Sequence, residues 1–361
     1  MTAPLELRDL DRRHGARMLQ IDAAAPIEAD VTLRLARDPA FFAWPDAVFD
    51  DYAYVGGFRG GTLCAYGVVG FARGFTGGAC DCFCYAGDAR VLPEARGEAF
   101  TLRALSAAAA KIAARARIGY ALVAHGNRPA ERVMARVDAP GITFEPLTSF
   151  EAQSIVLLGR PAAPPGLHVR PARPDDADDL AVLMQRAYAE RPFAPLVTAD
   201  ELRQDCARLP GFGLHRYLLA FRGRELVGAL GLWDAGPVRR AIVLRYSPFG
   251  QLLRVAHGAV RVLSGAGAAP PRPGQPLLAV TATRVAVPSD DPRILRALLA
   301  AAVGAHIGRY HLLHIGFVGG EPLARATRGW LVHRMRSQLF ALRVGGATLP
   351  RGRPYVDLRF L

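Results

Sequence analysis

The sequence predicts an α+β chain made of two tandem copies of one unit: strand, strand, strand, loop, helix, strand. Three observations predict it. The 361 residues amount to about two domains at roughly 150 residues each. A Pro/Gly-dense run, Gly159 to Gly166, follows the apolar stretch Ser154–Leu158 and divides the chain near its middle. The same order of elements reads on either side of that run. The copies are residues 1–158 and 167–361, with 159–166 as linker.

In the first copy, Tyr52–Gly57 and Thr62–Phe71 read as strands joined by a Gly-rich turn, and Cys80–Val91 as a third. A Pro-Glu-Ala-Arg-Gly loop then opens a helix. There Leu102, Leu105, Ala109, Ile112 and Ala116 recur at the 3.6-residue period, so one stripe faces a sheet. Ile118–Ala124 is the strand after it. In the second copy, Tyr217–Phe221 and Glu225–Trp233 form the matching hairpin across Arg222-Gly223-Arg224, and Leu277–Val287 is the matching strand. Pro288 to Pro292 opens a helix with apolar Leu295, Leu298, Leu299, Ala302 and Val303, and Tyr310–Val318 follows. A second Pro/Gly run, Gly265–Pro276, reads as a long internal loop.

Composition excludes several classes. With 51% hydrophobic and 21% charged residues the chain can build a core, and neither disorder nor collagen fits. Charged residues from Glu6 to Arg17 leave no room for a secretory signal. The longest apolar stretches, such as Leu298–Ile307, are about half the roughly 20 residues that span a bilayer. Five cysteines, an odd count in a chain large enough to do without disulfides, point to reduced thiols and a cytoplasmic setting. The net charge of +13 is almost wholly arginine, with a single lysine, Lys111, and a single asparagine, Asn127. A GC-rich codon bias accounts for most of the arginine, and an anionic partner is the functional reading of the remainder.

Cys80, Cys82 and Cys84 alternate on one strand, about 6.6 Å apart per pair. That is too spread for three thiolates to reach one zinc at about 2.3 Å, so no metal site is expected. His311 and His314, three apart on a strand, point to opposite faces and make no metal pair. Arg13, Arg17, Arg115, Arg117, Arg239 and Arg240 are scattered without interleaved aromatics, so no nucleic-acid surface is expected.

The stretch that carries chemistry is Asp88 to Thr101. A strand ends, a Pro-initiated turn carries Arg96-Gly97, and a helix begins with its first N–H groups unpaired, a ready site for a diphosphate. Val91, Pro93, Arg96 and Gly97 resemble the signature of the GNAT superfamily of acyl-CoA-dependent N-acyltransferases, Val-x-Pro-x-x-Arg-Gly-x-Gly-x-Gly/Ala. Ala99 and Thr101 stand where that signature carries small glycines. The hairpin from Arg222 to Gly228, the segment Arg170–Leu180 and the pair Asn127 and Ala130 are similar to further elements of the superfamily. The resemblance covers nearly the whole chain as two copies, each implied to be a mixed, mostly antiparallel sheet flanked by helices. The second copy departs at its matching loop, where Ser289-Asp290-Asp291-Pro292 caps a helix and sets two carboxylates where a diphosphate would sit. Its implied roles are structure, substrate binding or a homodimer contact.

The resemblance implies transfer of an acetyl or longer acyl group from coenzyme A to an amine by direct attack. Backbone groups at Ala89, Arg90 and Val91 are then expected to hold the pantetheine and thioester. The turn of Arg96, Gly97, Glu98, Ala99, Phe100 and Thr101 is expected to hold the diphosphate, with Asn127 at the neighbouring motif. The attacking amine must lose a proton, and Asp88, on the thioester strand, is the first candidate base. The tyrosine that protonates the thiolate in the superfamily falls at Met134 here, so His125, with an ordinary pKa near neutrality, and Tyr85 are the substitutes. The alternative reading is a non-catalytic tandem protein that keeps at most acyl-CoA binding.

Overall fold

The computed structural model describes residues 4–77, 80–96, 99–134 and 141–361. Its first half runs β1 (Glu6–Leu10), α1 (Gly15–Ala24), β2 (Val31–Ala36), α2 (Ala43–Val48), β3 (Asp51–Arg59), β4 (Thr62–Phe75), β5 (Cys80–Val91), α3 (Phe100–Arg115), β6 (Ile118–Ala124), α4 (Arg128–Met134) and β7 (Ile142–Val156). The second runs β8 (His168–Pro171), α5 (Ala177–Tyr188), α6 (Ala199–Arg208), β9 (Tyr217–Arg222), β10 (Glu225–Trp233), β11 (Arg240–Tyr246), α7 (Pro248–Ser264), β12 (Ala279–Ala286), α8 (Pro292–His306), β13 (Leu312–Val318) and β14 (Val332–Val344).

Local sequence explains the repeated parts. The β3–β4 hairpin turns through Gly60 and Gly61 at φ +54° and +79°, a left-handed pair that side chains resist and that matches the twist of paired strands. Helix α3 buries Leu105, Ala108, Ala109 and Ile112 against β3 to β5, the stripe that the 3.6-residue period foretells. In α8, Leu295, Leu298 and Leu299 are fully buried, each contributing about 1.5–3 kcal/mol relative to exposure.

Twelve strands of the described residues form one sheet, in the order β1-β3-β4-β5-β6-β14-β7-β13-β12-β10-β9-β8. All neighbours are antiparallel except β5–β6 and β12–β13. Read from its two ends, the order is the same unit twice, β1-β3-β4-β5-β6 against β8-β9-β10-β12-β13. Each unit is completed by a strand of the other half. β14 lies against β6, and β7 lies against β13. The Gly159–Gly166 segment joins β7 to β8 without regular structure, yet the sheet does not break there, because β14 and β7 pair along their lengths.

A separate two-stranded ribbon, β2 with β11, ties the halves together again. The sequence reading did not anticipate it, nor α7, whose large apolar residues Phe249, Leu252, Leu253, Val255, Val262 and Leu263 are exposed. The expected histidine strand, Tyr310–Val318, starts two residues late, at Leu312. His311 precedes β13, and its ring is held by Leu278 N–H on Nδ1 (2.9 Å) and by the Ala269 carbonyl on Nε2 (2.8 Å). Among the described residues no helix is long and apolar enough to cross a membrane.

Candidate active site

The site begins with an irregularity in β5. Gly87 pairs with Val68 and Arg90 with Tyr66, so Asp88 and Ala89 together face Gly67. This is a β-bulge, and Asp88 enters it at φ +47°, a costly backbone for a residue with a Cβ. On its other edge β5 pairs with β6 only from Phe83 to Ala86. β6 then continues to Ala124 paired with β14. Beyond Ala86 the two parallel strands part, and the edge of β5 that carries Asp88, Ala89, Arg90 and Val91 faces an opening.

After Val91 a single turn, Pro93–Ala95, brings the exposed Arg96 to the start of α3. Gly97 and Glu98, both expected at the diphosphate, lie outside the described residues. Ala99 precedes α3 at φ +51°, the left-handed region that glycine favours, and no side chain of the described residues caps the helix. Among the described residues, Arg103 N–H donates to the Ala99 carbonyl at 3.0 Å. Phe100 is buried and Thr101 half-buried, so the first turn offers backbone N–H groups rather than side chains. The second half does the opposite. At α8 the Asp291 carboxylate accepts from Arg293 N–H at 2.8 Å, and Asp290 pairs with Arg353 at 2.8 Å.

Asp88 is not the free base that its position on the strand suggested. Its carboxylate accepts two hydrogen bonds, 2.6 and 2.5 Å, from the guanidinium of the fully buried Arg37. Burial works to raise its pKa, but Arg37, with Arg90 and Arg239, outweighs burial and holds the carboxyl below its usual range. A carboxylate so held accepts protons poorly. Asp22, also buried, sits on the other side of Arg37 at 3.5 Å and accepts from the Tyr66 hydroxyl. Burial pushes Asp22 the other way, upward.

Tyr85 lies two residues before Gly87, and its phenol folds along its own strand over that glycine. A Cβ on Gly87 would collide with the Tyr85 hydroxyl. The ring stacks against Phe49 and Phe360, 6.1 Å from each, which also stack on one another, and burial with the nearby Asp88 pushes the phenol pKa up, so the hydroxyl keeps its proton. His125 follows β6 at the mouth of the opening, exposed, its backbone N–H on the Arg336 carbonyl. Asn127 caps α4, its Oδ1 accepting from Ala130 N–H at 3.3 Å, which occupies the group expected to meet the cofactor. Met134 is buried in the first-half core. Cys84 is buried and Cys82 half-buried, and burial pushes both thiols up.

Two features escaped the sequence reading. The first is the pair Arg37 and Arg239, delivered by the β2–β11 ribbon. The second is the filling of the second half's opening. β12 repeats the bulge, with Arg284 at φ +51° where β5 has Asp88, and β12 and β13 pair only from Ala279 to Thr281. Where they part, the C-terminal segment docks. Thr283 donates to the Asp357 carboxylate, Arg284 N–H donates to the Tyr355 hydroxyl, and Leu358 packs on Gly316 of β13. Arg284 is itself paired with the buried Asp205, and Arg359 with Asp357. A cavity of about 480 Å³ remains between the halves at the Phe83 end of β5, lined by Phe83, Phe193, Arg208, Arg284 and Phe360.

No family model and no curated protein matches the sequence. Solved structures match over nearly its whole length. A GCN5-related glucosamine N-acetyltransferase region of a fungal multi-domain GH3 β-N-acetylglucosaminidase aligns with a TM-score of 0.61 at 9% identity over 94% of this chain. The chain spans 38% of the length of that protein. A GCN5-related N-acetyltransferase from Sphaerobacter thermophilus aligns with a TM-score of 0.57 at 16% identity over 99% of both chains. The Saccharomyces cerevisiae N-myristoyltransferase, solved with bound myristoyl-CoA, aligns with a TM-score of 0.57 at 10% identity over 98% of this chain and 85% of its own. At such identities the likeness is one of fold.

Proposed function

We propose that this chain, which has the fold of the GCN5-related N-acetyltransferases, transfers an acyl group from coenzyme A to an amine in its first half. The observation that carries the reading is the opening between β5 and β6, aligned with an uncapped helix start beside the exposed Arg96. An acyl-CoA supplies the activated thioester. Backbone groups of Ala89, Arg90 and Val91 line up the thioester along the open edge of β5. The N–H groups of residues 99–101, with Arg96, take the diphosphate, and Gly97 and Glu98 are proposed to share in it.

The amine nitrogen attacks the thioester carbon and the C–S bond breaks. Tyr85, held protonated, donates its proton to the leaving sulfur. His125, exposed at the mouth, takes the proton that the amine sheds, through water. Asp88, paired with Arg37, anchors the bulge. The second half lends strands and the ribbon, and its own opening is filled.

Acetyl-CoA or a longer acyl-CoA is expected to raise the unfolding temperature, and Arg96→Ala to weaken that protection. No shift with any acyl-CoA overturns the reading. A second reading, binding without turnover, is favoured by Met134 in the core and by the Arg37–Asp88 pair. Free thiol release from acyl-CoA with a panel of amines separates the two.

A further inference from the structure

The ribbon of β2 and β11 carries one arginine from each half toward the open strand. Its register pairs Ala36 with Arg240. The next residues outward, Arg37 and Arg239, therefore stand opposite each other. Both guanidinium groups lie on the buried indole of Trp44, Arg37 at 5.0 Å and Arg239 at 4.5 Å from the ring centre. Trp44 meets Phe49 edge-on at 5.6 Å, and Phe49 stacks on Tyr85, so two rings, Trp44 and Phe49, link Arg239 to the phenol.

The neighbours of Arg239 are all matched. Arg37 holds Asp88, and Arg240 holds Asp38 at 2.9 Å. The Arg239 guanidinium feels Asp88 only at a distance and makes no hydrogen bond and no ion pair within 4 Å among the described residues. Three arginines, Arg37, Arg90 and Arg239, surround two carboxylates, Asp22 and Asp88, which leaves one positive charge without a counter-charge. Burial and the neighbouring Arg37 bring the Arg239 pKa down to about 10, so it is still a cation at neutral pH. An amine that reaches this place as an ammonium meets repulsion unless the reacting pair brings its own anion. A half-buried, planar guanidinium is suited to a carboxylate, which it binds through two parallel hydrogen bonds in a low dielectric.

Resting on the acyl-transfer reading, we propose that Arg239 receives a carboxylate of the reacting pair. The carboxylate belongs either to an amino-acid-like acceptor or to the far end of a dicarboxylic acyl chain. In both cases the second half supplies the residue that chooses the substrate of the first.

The test uses the full chain in two arms. In the acceptor arm, glycine and β-alanine are compared with glycinamide and ethylamine, using acetyl-CoA and thiol release. In the acyl arm, succinyl-CoA is compared with butyryl-CoA over one amine panel. One arm is expected to favour its carboxylate, and Arg239→Gln to shrink that kcat/KM preference about 10- to 100-fold, as loss of a charge-assisted pair does. Arg239→Lys is expected to keep part of it. Equal use of both members in both arms, or a preference untouched in Arg239→Gln, overturns the proposal. Absence of any acyl-CoA protection is the separate failure of the acyl-transfer reading. Carboxylate binding is then read alone, from the unfolding temperature with glycine or succinate, and equal shifts in wild type and Arg239→Gln overturn the proposal too.

Discussion

A phenol that keeps its proton and a carboxylate that has lost its own sit three residues apart on β5. For Tyr85, removal of the hydroxyl in Tyr85→Phe is expected to lower kcat about 100-fold while acyl-CoA still raises the unfolding temperature. Thiol release and thermal shift on the same sample check both. For Asp88 the expectation concerns stability. An aspartate in an unfolded chain titrates near 3.9, and Asp88 in the fold titrates lower. Its pairing therefore stabilises the protein above about pH 4 and is lost as pH falls through the folded pKa. Arg37→Gln leaves a buried unpaired carboxylate and is expected to cost about 3–5 kcal/mol near neutrality. The gap to wild type should narrow as pH falls below the folded pKa of Asp88, where the carboxyl is protonated in both proteins. Thermal unfolding against pH measures it. Asp88 drew notice in the sequence because it lies on the strand before a phosphate-type turn. Its partner was not, since Arg37 is 51 residues away and reaches it through a strand that no short-range pattern marks.

At the scale of elements, β5 and α3 were the parts most open to sequence reading. The helix repeats at its own period, and the Arg96-Gly97 turn is contiguous, so each is a local signal. The β2–β11 ribbon was not open to it, because strands of six and seven residues pair across about two hundred positions. The C-terminal segment was not open to it either, because Tyr355, Val356, Leu358 and Phe360 make no ladder and are held largely by buried side chains. Within β5, Gly87 is the residue that lets Tyr85 lie along the strand. Gly87→Ala is expected to displace the phenol, costing about 1–3 kcal/mol of stability by overpacking together with turnover. Tyr85→Phe should lose turnover alone, and unfolding temperature plotted against kcat for the two variants tells them apart.

For the whole molecule, the duplicated unit was visible in the order of elements, but the exchange of its last strands was not. Pairing of β14 with β6, and of β7 with β13, is set by the tertiary arrangement and leaves no mark in local composition. Residues 1–158 alone would expose the edge of β6, and residues 167–361 alone would expose that of β13, each a row of unpaired backbone groups. Neither piece is expected to give a cooperative unfolding transition by circular dichroism on its own, whereas the two expressed together should copurify and give one. A cooperative transition from either piece alone counts against the interleaved sheet.

The segment that fills the second opening also backs the ring that serves the first. Phe360 stacks on Tyr85 and on Phe49, while Tyr355 and Asp357, a few residues earlier, are fastened to β12. Put as kinetics, the Tyr85 ring is expected to reorient no faster than that strap loosens, because the ring beside it has its foothold in the other half. On that expectation the copy whose opening is filled sets the tempo of the copy left open.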